Sequence, residues 1–170
     1  MHPFAFSMPQ FLYLVTVFGA TPTAFAAVAI WRVQSEDRPT GGRLGLWPTG
    51  VVAFLGGFVA CAGWLSWSAY GRAPGLPAPK EFPTWQVVAC GATVVLACFV
   101  AAHLSKWVKS GGLAAAVGTA AGFTTAFCVS ASADDTGQSG VGVLLSELGW
   151  MFALVILMSA RTAMLRSPSS

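Results

Sequence analysis

Five stretches of this chain are each long enough and apolar enough to cross a lipid bilayer, and no other feature limits the fold as much. They run from about 10 to 31, 48 to 70, 84 to 107, 113 to 133 and 140 to 161. At 1.5 Å of rise per residue, about 20 helical residues cross a hydrocarbon core of about 30 Å. Composition agrees. Of 170 residues, 55% are hydrophobic and only 9% are charged, whereas a soluble domain is about a quarter charged. A soluble fold of this length could not cover its surface with so few charges. The expected fold is an all-α integral membrane protein, a single transmembrane domain built as a five-helix bundle.

The first stretch has a competing reading as a secretory leader, because Ala24-Phe25-Ala26 resembles a cleavage site. A leader wants a basic segment before its apolar core, and Met1 to Gln10 holds no Lys or Arg. The apolar run also continues to Trp31, so an uncleaved span is expected. Pro22 lies inside it and should disturb its hydrogen bonding. The connector Arg32–Trp47 is polar, and Gly71–Pro83 holds four prolines, which forbid a regular helix there.

Charge sets the orientation. Alternate connectors carry Arg32, Arg38 and Arg43, then Lys106 and Lys109, then Arg161 and Arg166, against only Arg72 and Lys80 on the other side. Positive charge collects on the cytoplasmic side, so the N-terminus is expected outside and the C-terminus in the cytoplasm. The tryptophans fit an interfacial belt: Trp31, Trp47 and Trp107 at inner ends, Trp67 and Trp85 at outer ends. Trp64 and Trp150 lie deeper and are expected between helices. Asparagine is absent and isoleucine occurs twice, which points to a GC-rich bacterial genome and hence to a multi-pass protein of the bacterial cytoplasmic membrane.

Glu147 is the only one of the six acidic residues inside an apolar run. A carboxylate there is costly and needs a partner, a water path or a proton. It lies about seven residues from the outer end of its span, roughly 10 Å deep. It is read either as a proton or cation site or as a hydrogen-bonded packing residue. His103 sits near the other surface, with a depth difference of roughly 14 Å, too far for contact. It groups instead with Lys106 and Lys109 at the cytoplasmic edge. Residues sharing Glu147's depth are Thr16, Ser66, Cys90, Thr125 and Cys128, and with it they form the candidate intramembrane polar site.

The fourth span carries Ala114, Gly118, Gly122 and Ala126 at steps of four, a small-residue face suited to close helix packing. Ala53, Gly57 and Cys61 form a smaller such face on the second span. The four cysteines, Cys61, Cys90, Cys98 and Cys128, lack zinc-ligand spacing and read as packing residues. Depth alone would allow Cys90 and Cys128 to pair. Asp134-Asp135 reads as a solvated turn. No Ser-His-Asp set, P-loop, HExxH or GxGxxG is present. With only His2 and His103, neither a two-histidine haem nor a His-rich metal site is expected. No cofactor, catalytic residue or nucleic-acid surface is assigned.

The first functional expectation is a non-enzymatic accessory or structural subunit of a larger membrane assembly, partnered by another membrane protein or by copies of itself. The alternative is an oligomeric transporter or channel subunit with Glu147 as its polar site. A membrane enzyme acting on lipid or isoprenoid substrates is the third reading, since one carboxyl is thin equipment for catalysis.

Overall fold

The structure is a computed structural model that describes residues 6–37, 39, 42–66, 82–132 and 138–166. Arg72, Lys80 and Asp134-Asp135 lie outside the described residues. Five helices are long and apolar enough to span a membrane: α1 Met8–Gln34, α2 Leu46–Leu65, α3 Thr84–Leu104, α4 Lys109–Ala131 and α5, which extends over Ser139–Arg166. Among the described residues there is no strand, only the isolated bridges Pro39 to Trp107 and Leu44 to Ser105.

The helices ring α4, which touches each of the other four. About 78% of its apolar window is buried, against 17% to 28% for the rest. Composition explains the choice. For helices long and apolar enough to span a membrane, lipid as the solvent would give large apolar side chains nothing for turning inward, while small ones let backbones approach. Leu55 and Val59 of α2, Leu96 of α3 and Phe152 and Ile156 of α5 all point outward. In water such apolar cover would be a liability, but against acyl chains it is the expected surface.

The two small-residue faces meet. A Cβ on Gly57 would collide with the Thr119 carbonyl and the Phe123 nitrogen, and one on Gly122 with the Phe54 carbonyl and the Phe58 nitrogen. Glycine is required at both positions because backbone lies against backbone. Gly118 packs on Gly50 and Ala53 in the same crossing.

One end of the bundle carries Arg32, Arg43, His103, Lys106 and Lys109, all exposed, and is called the basic end. The connector after α1 is tied down there. Arg43 N–H and Leu44 N–H both donate to the Leu104 carbonyl (3.0 and 2.9 Å), and Lys106 N–H donates to the Leu44 carbonyl at 2.7 Å. This capture of the last α3 carbonyl explains why α3 stops at Leu104, short of the expected 107. Asp37 caps α4 from the same connector. Its Oδ2 accepts from Lys109 N–H (3.0 Å), Ser110 N–H (2.6 Å) and Ser110 Oγ (2.8 Å). A carboxylate at a helix N-terminus satisfies orphan donors and complements the helix dipole. α4 consequently begins at Lys109 rather than near 113.

Candidate functional site

Glu147 projects from α5 toward α4 and α1 and is fully buried. Its Oε1 accepts a hydrogen bond from Thr23 Oγ1 of α1 at 3.1 Å. Thr124 of α4 approaches the same carboxyl without reaching hydrogen-bond geometry, so Thr124 Oγ1 and Glu147 Oε2 both lack a partner. Cys128, one turn further along α4, lies within electrostatic range of Glu147. The site therefore gathers one carboxyl, two hydroxyls and one thiol from three helices.

α1 is irregular beside this site. Val15–Ala20 is a π-helical turn, immediately before Thr21-Pro22-Thr23. Pro22 has no N–H, which removes one helical hydrogen bond. The backbone compensates. The Thr16 carbonyl accepts from both Thr21 N–H and Thr21 Oγ1, the latter at 3.0 Å. π-turns of this kind are frequent at functional sites. Thr23 is thus presented to Glu147 from just beyond the weakest point of α1.

The other depth-matched residues lie elsewhere. Thr16 is exposed and its carbonyl serves the π-turn. Ser66 is exposed at the end of α2. Thr125 Oγ1 donates to the Ala121 carbonyl at 2.7 Å, within its own helix. Cys90 Sγ faces the Ala60 carbonyl at 3.7 Å, and its neighbours within electrostatic range include Cys61. All four cysteines are free and buried, so Cys90 and Cys128 are not joined. Of the depth-matched set, only Cys128 comes near Glu147, while Thr23 and Thr124 replace Thr16 and Thr125. The signal for Thr124 was its place one turn before Cys128. Thr23 had none, because depth matching aligns helix ends, whereas Gly140 of α5 packs beside Phe18 of α1.

The deep tryptophans are structural. Trp64 Nε1 donates to Thr93 Oγ1 at 3.0 Å, and Trp150 stacks obliquely on Phe123 with centroids 5.4 Å apart. Gln86, fully buried on α3, donates through Nε2 to the Trp64 carbonyl. Among the described residues no three His, Cys, Asp or Glu side chains gather as metal ligands. Comparison with protein-family models, with curated proteins and with solved structures finds no match to this chain.

Proposed function

We propose that this is a multi-pass transport protein in which Glu147 carries a proton or cation and α1 controls access to it. The observation that carries the reading is the state of the Glu147 carboxyl. It is fully buried, held through one oxygen by Thr23, and unpartnered at the other. A residue kept only for packing is expected to have both oxygens satisfied, since a half-satisfied buried group costs stability. The carboxyl is sealed from both surfaces in this conformation, so exchange requires a helix to move. α1 is the least buried of the five helices and has a π-turn next to the site, which makes it the moving part.

The basic end faces the cytoplasm on this reading, in a bacterial cytoplasmic membrane, because seven of the nine basic residues belong to that side of the chain. The test is proton flux into liposomes containing the purified protein and a trapped pH dye. Glu147→Gln keeps size and hydrogen bonding, so the fold should survive while flux falls to the level of empty liposomes. Wild-type flux in Glu147→Gln at every pH would sink the proposal.

The accessory-subunit reading is kept as the second one, on different evidence from the fourth-span ladder, which packs within the chain. α5 turns a separate small-residue stripe outward. Gly142, Gly149, Ala153 and Ala160 are exposed along one face, and nothing lies within 4 Å of a Cβ placed on Gly142 or Gly149. Such a face suits close packing against another helix. Purification in mild detergent separates the readings: a stoichiometric partner released by Gly149→Leu supports this one, and a protein alone at one copy removes it.

A further inference from the structure

α1 and α2 flank the stretch of α4 from Ala114 to Ala121. Between the three helices lies a partly open groove of about 270 Å³. Ala27 and Val51 form its walls, Ala114 and Ala121 its floor, and Trp31 and Trp47 its mouth. Both tryptophans are largely exposed, at 70% and 76%, and their place at the end of the apolar spans is the usual one for the headgroup level. The deep limit is Thr23, whose hydroxyl is already given to Glu147. The groove therefore offers no free polar group along its length and accepts an apolar chain. From Thr23 to Trp31 it runs about 12 Å, close to the roughly 15 Å of one leaflet.

Charge at the mouth end selects the headgroup. Arg32 directly follows Trp31, Arg43 lies in the connector just before Trp47, and both arginines are exposed. Among the described residues two carboxylates oppose them there. Asp37 caps α4, and Glu36 is exposed. We propose that the groove is a binding site for one anionic phospholipid of the leaflet at the basic end, with an acyl chain between α1 and α2 and its phosphate on Arg32 and Arg43. The site requires the chain to be in a membrane and is independent of any charge movement at Glu147.

The full-length protein in nanodiscs of equal phosphatidylglycerol and phosphatidylcholine provides the test, read by native mass spectrometry after release. The expected result is one retained phosphatidylglycerol, preferred over phosphatidylcholine by about tenfold. Ala27→Trp fills the groove from α1 and should abolish retention. Val51→Trp fills it from α2 and gives the same reading if the first variant fails to fold. Val59→Trp, on the far side of α2 and 65% exposed, should retain the lipid as wild type does. Arg32→Gln with Arg43→Gln should keep a bound lipid but reduce the preference to about twofold. Absence of a retained lipid in wild type, equal retention of the two lipids, or retention in both groove-filling variants would overturn the assignment.

Discussion

α4 and α3 are sequence neighbours of nearly equal length, 23 and 21 residues, in opposite surroundings. α3 is the most hydrophobic of the five helices and α4 the least, yet α4 occupies the centre and α3 the rim. α3 presents Val87, Val88, Leu96 and Val100 outward, while α4 buries Ala115, Ala116, Ala120 and Gly122. Placement follows size rather than hydropathy. On the proposed membrane placement an apolar side chain gains little from transfer between lipid and protein interior, so close packing and hydrogen bonding decide which helix goes inside. The central helix is held by backbone proximity and by its cap. The peripheral helix is held by a few specific contacts along one edge and is otherwise free to vary.

Substitutions can break that contrast or sharpen it, and the largest effect belongs at the α2–α4 crossing. Gly122→Leu drives a side chain into the Phe54 backbone and should destabilise the bundle by at least about 3 kcal/mol, read by denaturant titration in mixed micelles. If it were tolerated, close packing would not be what selects α4 for the centre. Next comes the cap. Asp37→Ala removes the acceptor of three hydrogen bonds and should cost about 2 kcal/mol, with earlier hydrogen exchange at Lys109 and Ser110. Asp37→Asn should recover part of that loss. On α3 a deletion must hit one of the few inward contacts to be felt. Thr93→Val removes the acceptor of the Trp64 indole and should cost about 1 kcal/mol. The smallest effect is expected for Leu96→Ala, 62% exposed on the outer face, which should stay within about 0.5 kcal/mol. A large loss there would mean that this face is covered by another protein.

Much of this architecture is legible in the residues. The five apolar runs mark the helices, and the steps of four from Ala114 to Ala126 and from Ala53 to Cys61 mark the two surfaces that meet. The central position of α4 is legible only once lipid is taken as the solvent. The cap by Asp37 could not be read, since it joins residues 72 positions apart and resembles any other connector charge. The candidate site was half legible. Glu147 stands out as an isolated acid, and Cys128 follows from depth. Thr23 does not, because the registry between α1 and α5 depends on side-chain packing, with the Phe18 ring against Gly140. The π-turn that leads into Thr23 left only Pro22 as a trace.

The Asp37 cap also has a consequence for biosynthesis. On the proposed membrane placement, α4 is the poorest candidate among the five for entering the bilayer by itself. Its cap and its glycine-lined berth on α2 are both translated before it. At ordinary elongation rates the 72 residues separating Asp37 from Lys109 correspond to a head start on the order of 4–15 s. The nascent chain thus prepares a receptor for its least lipid-compatible helix before that helix leaves the ribosome.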